Sequence, residues 1–479
     1  MSSFYVENFG CRATQADGAA IEQQFRDRGF DRAIRPASAK IVVLNTCAVT
    51  ASAEQEARAA LRRIRRDNPA CEVIVTGCYA QRTPHEVAAL PGVSLVVGNS
   101  HKHNLAQIAL LAQPEKDTIE SGSFVPIANL SSMDLSREDR SLLGDSAFPE
   151  IFVSDIFAHT ELLAAPVFDS ANDRTRPNLK VQDGCNSRCS FCIIPSVRGR
   201  SRSLHLDEVL REVNQLVAAG YREVVISGIN LGRWGRDLSG ETEQTVWGGR
   251  PRPPMLEDLV EAILDQTRLE KLRISSVEPM DWTDSFIRLM AENSRIAKHA
   301  HVPMQSGSDS VLRRMHRKYR PWHYREKIAK IRAAMPTAAI GADVMVGFPG
   351  ETPAEFEETR SIIEDLRLTY LHVFTFSARP GTPAATMPNQ IPVSIARERN
   401  QALRNLAAEK KEEFMRSFVG QSIEAITLNG VSENSAGPWT EALTDNYLKM
   451  NLQGRHAPNQ WLRAQVLDVT DGQLLGKAA

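Results

Sequence analysis

The chain has 479 residues, 42% hydrophobic and 24% charged, a composition that excludes disorder throughout and, at roughly 150 residues per domain, suggests about three domains. Lys and Arg number 57 against 58 Asp and Glu, so the formal charge of −1 supplies no overall field for nucleic acid or acidic lipid, and any such attraction is local. Seven cysteines are odd in number and too few for a disulfide scaffold of this length, which points to cytosolic thiols with metal or catalytic duties. No apolar run approaches the ~18 residues of a membrane span. The N-terminus carries Glu7, Arg12 and Asp17 where a secretory signal needs an apolar core, so a cytoplasmic protein away from the membrane is expected.

Residues 1–113 alternate predicted strands (Tyr5–Gly10, Lys40–Thr46, Glu72–Thr76, Ser94–Val97) with predicted helices (Thr14–Arg28, Ser52–Asp67, His101–Leu111). That alternation is the pattern of an open parallel α/β sheet. Three strands run into cysteine, as Gly10-Cys11, Thr46-Cys47 and Gly77-Cys78. Strand C-termini of such a sheet share one edge, so the three thiols can meet on one rim. Cys71 opens a strand instead and reads as a packing residue.

Residues 114–175 hold 12 acidic against 4 basic residues and lack sustained periodicity, the mark of an acidic connector with a possible strand at Ile151–Ile156. Residues 176–416 resume the alternation with strands Leu179–Gln182, Glu223–Ser227, Lys271–Ser275, His299–Pro303, Ala339–Val344 and Leu371–Thr375. Six βα units predict a (β/α) barrel, a partial or complete TIM barrel, with chemistry at the strand C-termini. The insertion Leu238–Pro254, rich in Gly, Arg and Pro, suggests no role. Residues 417–479 show four short strands between Gly, Asn and Pro turns and predict a small C-terminal β-barrel.

The sharpest motif is Cys185-Asn-Ser-Arg-Cys189-Ser-Phe-Cys192, just after the first barrel strand. Three soft thiolates on one loop suit an iron–sulfur cluster with one iron left open, whereas a structural zinc site needs a fourth ligand that this run lacks. The spacing and place resemble those of the radical S-adenosylmethionine enzymes, and Phe191 before the last cysteine fits. The resemblance implies a 4Fe-4S cluster on Cys185, Cys189 and Cys192 that chelates S-adenosylmethionine and cleaves it to a deoxyadenosyl radical. Asn8-Phe-Gly-Cys-Arg, Asn45-Thr-Cys-Ala-Val-Thr and Thr76-Gly-Cys-Tyr-Ala-Gln resemble the N-terminal domain of the methylthiotransferases. That implies a second 4Fe-4S cluster on Cys11, Cys47 and Cys78.

Further segments match that family in order. Ser227-Gly-Ile-Asn-Leu-Gly supplies Gly228, for close backbone approach to the cofactor, and Asn230, which offers an amide. The next strand ends supply Glu278, Gln305, Ser306 and Asp343, expected where cofactor and substrate meet. Each alone reads equally as a helix cap or loop fastener. Arg379 can grip an anion or form an ordinary ion pair.

Methylthiotransferases act on a tRNA base or a ribosomal protein. Gly-Cys-Arg-Ala-Thr-Gln at Cys11 and Ile-Ile-Pro-Ser-Val-Arg-Gly-Arg-Ser-Arg-Ser after Cys192 resemble the branch acting on threonylcarbamoyladenosine beside the anticodon. The resemblance implies a tRNA substrate and a low-potential electron donor protein. Isopentenyladenosine tRNA or a ribosomal protein are the alternative substrates; a non-catalytic iron–sulfur RNA-binding or redox-sensing protein is the rival class. Three basic groups offer RNA contacts: Arg58/Arg62/Arg63/Arg65/Arg66, Arg198/Arg200/Arg202 and Arg313/Arg314/Arg317/Lys318/Arg320. The C-terminal barrel resembles the TRAM domain, although 5 basic and 6 acidic residues over 414–479 give it no electrostatic advantage. Its Trp439, Tyr447 and Trp461 are expected in its core rather than stacked on bases.

Overall fold

The computed structural model describes residues 3–112, 149–163, 176–238, 245–247, 250–434 and 437–479. Most of the acidic connector and part of the insertion Leu238–Pro254 therefore lie outside the described residues.

Strands β1 (Ser3–Asn8), β2 (Asp31–Arg32), β3 (Ile41–Thr46), β4 (Glu72–Gly77), β5 (Leu95–Gly98) and β6 (Glu150–Phe152) form one parallel sheet in the order β2-β1-β3-β4-β5-β6. Alternate residues feed opposite faces, as the two-residue period of a strand requires. Val42, Leu44, Val73 and Val75 pack under helix α2 (Ala51–Asp67) through Ala57, Leu61 and Ile64. Phe4, Ile41, Val43 and Ile74 pack the other face against Ile21 and Phe25 of helix α1 (Arg12–Arg26). β3 is buried along its whole length, the mark of a central parallel strand. The segment read as connector thus gives the sheet its edge strand β6, shorter than the Ile151–Ile156 expected and paired with β5.

The central region contains β7 (Asn178–Asp183), β8 (Arg202–Ser203), β9 (Glu223–Gly228), the hairpin β10 (Thr245–Trp247) and β11 (Arg250–Arg252), β12 (Lys271–Ile274), β13 (His299–His301), β14 (Ala339–Val346) and β15 (Tyr370–Thr375). β7, β9 and β12 pair in parallel, as do β13, β14 and β15. Single bridges from Leu272 to Ile296 and from Ser276 to His301 join the two sheets. The six parallel strands thus make the expected partial barrel, with β8 added antiparallel at one edge. Amphipathic helices cover the outside; Leu206–Ala218, for example, buries Val209, Leu210, Val213 and Leu216. Helix Val393–Arg416 closes the β15 edge, with Leu403 and Leu406 against Leu371 and Val373.

β16 (Ser422–Asn434), β17 (Gly437–Thr444), β18 (Lys449–Gln453), β19 (Trp461–Thr470) and β20 (Gln473–Ala478) form a closed barrel in the order β16-β17-β18-β20-β19. The fifth strand is an addition to the four expected. It returns through Asp471 and Gly472, both at positive φ, and pairs with β19 and β18.

Candidate active site between two cysteine sets

Cys11, Cys47 and Cys78 follow β1, β3 and β4 and meet on one rim of the N-terminal sheet. Gly10 has φ +98°, and a Cβ there would lie 2.5 Å from Cys47 Cβ, so glycine lets the turn bring Cys11 beside Cys47. Hydrogen bonding to Cys47 holds the Cys11 thiol well below its usual pKa, and the same contact, with burial, pushes Cys47 up. Cys78 lies near enough for its charge to raise Cys47 further, and Asn99 Nδ2 donates to Cys78 Sγ at 3.5 Å. Cys71 is buried in the apolar core, as expected of a packing residue.

The second set stands on the loop after β7. Gln182, fully buried, organises that loop: its Nε2 donates to the carbonyls of Asp183 (2.9 Å) and Gly184 (2.8 Å). Its Oε1 accepts from Asn230 N at 2.7 Å, which fixes the turn after β9 against the same loop. A Cβ at Gly228 would lie 2.9 Å from Gln182 Cβ, which explains the glycine. Ser187 N donates to Cys185 Sγ at 3.4 Å, Asn230 Nδ2 to the same sulfur at 3.6 Å, and Arg317 Nη1 to Cys189 Sγ at 3.3 Å. Burial pushes the Cys192 thiol up to about 12; Cys189 also rises through burial, opposed by Arg317.

Cys11 of the first set and all three cysteines of the second line one cavity of about 880 Å³ at the C-terminal mouth of the barrel. Cys11 and Arg12 line one side, and Cys185, Cys189 and Cys192 another. Of the residues expected there, Phe191, Gly228, Asn230, Glu278, Gln305 and Asp343 all line it. One expectation is corrected, and Arg379 takes its ion-pair alternative. Ser306 is buried with its Oγ 3.1 Å from Thr359 Oγ1, a loop fastener away from the cavity. Arg379 is buried in an ion pair with Glu54 of α2 at 2.8 Å, which ties the barrel to the N-terminal sheet.

Sequence reasoning missed one wall. His299 and His301 on β13 and Tyr370 and His372 on β15 face the cavity, each pair two residues apart and so on one side of its strand. Tyr447 of the C-terminal barrel joins them, which corrects its expected core position. Ser276 Oγ lies 2.7 Å from His301 Nδ1, and Asp343 Oδ1 lies 3.4 Å from His301 Nε2. Burial, then Arg273 and the neighbouring His301, holds His299 well below its usual pKa, so it meets the Tyr370 hydroxyl (2.6 Å) as a neutral ring.

The basic groups divide. Arg198 is 2% exposed and bonds Asp17 (2.9 Å) and Asp183 (2.8 Å), which also hold Lys102 and Lys180 in a buried network joining α1 to β7. Burial opposes ionisation of both aspartates, but Arg198 and Lys180 hold both carboxyls below the usual range, helped at Asp17 by Lys102 and at Asp183 by Arg202. Arg58 pairs with Glu86, Arg63 with Glu7, and Arg65 caps the Pro69, Cys71 and Gly92 carbonyls. Arg314 grips both oxygens of Glu355, and Arg317 pairs with Glu278 inside the cavity. These are structural or site arginines, not free RNA contacts.

Residues 179–363 match the radical SAM superfamily, and residues 3–98 match the uncharacterized protein family UPF0004. A structure of the radical S-adenosylmethionine methyltransferase TsrM from Kitasatospora setae superposes with a TM-score of 0.55 at 15% identity, over 80% of this chain and 77% of that one. That is a likeness of fold. The barrel and its cysteine loop thus belong to the radical SAM class. Threonylcarbamoyladenosine tRNA methylthiotransferase MtaB of Bacillus subtilis is 34% identical over 95% of this chain and 91% of its own. The Treponema pallidum protein of the same name is 34% identical over 94% and 95%. A tRNA-2-methylthio-N(6)-dimethylallyladenosine synthase of Methylacidiphilum infernorum is 29% identical over 99% and 94%. The chain belongs to the methylthiotransferase family of radical SAM enzymes.

The family's cofactors are 4Fe-4S clusters and S-adenosylmethionine. The residues present fit them. Two sets of three sulfurs each carry N–H donors of the kind that support cluster sulfur ligation. Ser227 Oγ, Asn230 Oδ1 and Gln305 Oε1 are buried at the cavity without a hydrogen-bond partner, a cost that a bound polar ligand removes. Among the described residues no helix is long and apolar enough to cross a membrane.

Proposed function

We propose that this chain transfers a methylthio group to C2 of threonylcarbamoyladenosine next to the anticodon of tRNA. The observation that carries the reading is the single cavity lined by Cys11 and by Cys185, Cys189 and Cys192 together. Sulfur held at one set and radical chemistry at the other then reach the same base. C2 of adenine carries no leaving group and its hydrogen is too weakly acidic for a side-chain base, so a radical route is required. Cys185, Cys189 and Cys192 would hold the cluster that binds S-adenosylmethionine, and Cys11, Cys47 and Cys78 the cluster that carries sulfur. Bound there, these cofactors supply hydrogen-atom abstraction and a methylated sulfur. The protein's own part is placement. Gln182 holds the barrel loop and the Asn230 turn together, Asn230 and Gln305 turn amide oxygens to the cavity, and Arg317 holds Cys189 and Glu278. The neutral His299 and the Tyr370 ring form a flat wall for a base.

We place the units at 1–113, with 114–175 as connector, 176–416 and 417–479, the last resembling a TRAM domain. A low-potential protein would supply electrons, and a tRNA substrate places the enzyme in the cytoplasm. Nucleoside mass spectrometry of tRNA from a deletion strain tests the reading. Loss of the methylthio form with retention of threonylcarbamoyladenosine, restored by the gene, is expected. An unchanged methylthio level, with loss of another modification, would overturn it.

A further inference from the structure

Resting on that reading, we propose that Arg12 recognises the carboxylate of the threonylcarbamoyl arm and so selects this base over adenosines whose N6 substituent is uncharged. The arm ends in an anion at neutral pH; a dimethylallyl arm has none. Two arginines line the cavity. Arg317 is committed to Glu278 and Cys189. Arg12 has no carboxylate partner among the described residues: its guanidinium donates to the Tyr447 hydroxyl at 2.9 Å and is otherwise open to the cavity. The cavity's remaining carboxylate, Asp343, faces His301.

Three further features support an anion there. Arg12 is the first residue of α1, whose opening turn has no acidic residue and no side-chain cap, so the positive end of the helix adds to the guanidinium. The nearby rings, His299 and His372, are held neutral by burial first and then by neighbouring basic groups, Arg12 included. Arg12 is thus a permanent charge at that wall and, unlike Arg273 and Arg176, it lines the cavity. Tyr447 adopts φ +70°, a conformation costly for a tyrosine, and so places its hydroxyl on Arg12. Arg12 also directly follows Cys11, so a carboxylate gripped in the guanidinium fork seats the base beside the sulfur-carrying set.

The test measures binding of two anticodon stem-loops to the full-length protein, one with the free threonylcarbamoyl carboxylate and one with its methyl amide. The wild type should bind the carboxylate form about 10- to 100-fold more tightly, the range of a charged hydrogen bond. Arg12→Gln should lose that preference, and Arg12→Lys should keep part of it. In the reconstituted enzyme the Arg12→Gln loss should fall on KM more than on kcat. A preference unchanged in Arg12→Gln would overturn the assignment. Equal weakening toward both RNAs would overturn it too, by making Arg12 a phosphate contact. A wild type that ignores the carboxylate and prefers the dimethylallyl RNA would instead overturn the substrate reading beneath it.

Discussion

Arg313, Arg314, Arg317 and Arg320 are neighbours in one basic run, and the structure gives them separate duties. Arg313 lies on the surface against Asp309, while Arg317 is 9% exposed in the cavity wall. Charge counting cannot separate them, because the partners Glu278 and Glu355 lie 39 and 41 residues away in sequence. The six cysteines of the two sets were legible for the opposite reason: their signal is local, in spacing and in strand-end position. Gln182 carried a weaker local signal, an amide on a buried strand just before Gly184-Cys185. Arg317→Met strips Cys189 and Glu278 of their guanidinium, and reductive cleavage of S-adenosylmethionine should fall at least about tenfold, as loss of a charged hydrogen bond implies. Arg317→Lys should recover part, since one ammonium cannot fork to both partners. Deoxyadenosine release at matched iron content checks this; wild-type release in Arg317→Met would remove Arg317 from the site. Arg313→Glu, alone and with Arg314 intact, should flatten the salt dependence of tRNA binding by about one unit of slope if Arg313 meets a phosphate. An unaltered slope would leave it as a surface ion pair.

Long apolar strands were legible as elements, since β3, β4, β9 and β14 are buried on both faces and read as continuous runs. The two-residue β2 and β8 were not, because pairing to a neighbour, rather than local pattern, makes them strands. β20 had its signal in the Asp471-Gly472 turn, but polar Gln473 and Lys477 hid the strand that follows. Helix Pro353–Asp365 has a clear start in the sequence. Thr352 accepts from Glu355 N at 3.2 Å and Glu355 accepts from Thr352 N at 2.8 Å, a reciprocal cap after which Pro353 fits the first turn. Hydrogen bonds from Arg314 hold Glu355 at about 2, against 4.5 ordinarily. A depressed carboxylate stabilises the fold above its ordinary pKa and loses that contribution as pH falls toward the folded value. Glu355→Gln should therefore lower the thermal midpoint at pH 7, with the gap from wild type closing between pH 4.5 and 2. A gap independent of pH, in melts followed by circular dichroism, would show that the pair contributes nothing electrostatic.

At the scale of the molecule, sequence located three architectures but not how they meet. The meeting surfaces are polar and drawn from distant segments: Asp17 with Lys180 and Arg198, Glu54 with Arg379, and Tyr447 with Arg12. Asp17 and Asp183 face three buried cations, so Asp17→Asn leaves charge without a partner and should cost about 3–5 kcal/mol at neutral pH. Because both carboxyls are depressed, that difference should persist above about pH 4 and fade as pH drops; denaturant unfolding across pH measures it. The central claim is that two distinct cysteine sets serve one cavity. It is tested by assaying deoxyadenosine and the methylthio nucleoside side by side in folded Cys189→Ala and Cys47→Ala proteins, reconstituted without oxygen. Cys189→Ala should lose both products. Cys47→Ala should still release deoxyadenosine and form no methylthio nucleoside. Methylthio product from Cys47→Ala at the wild-type rate would contradict the account, leaving the N-terminal trio structural.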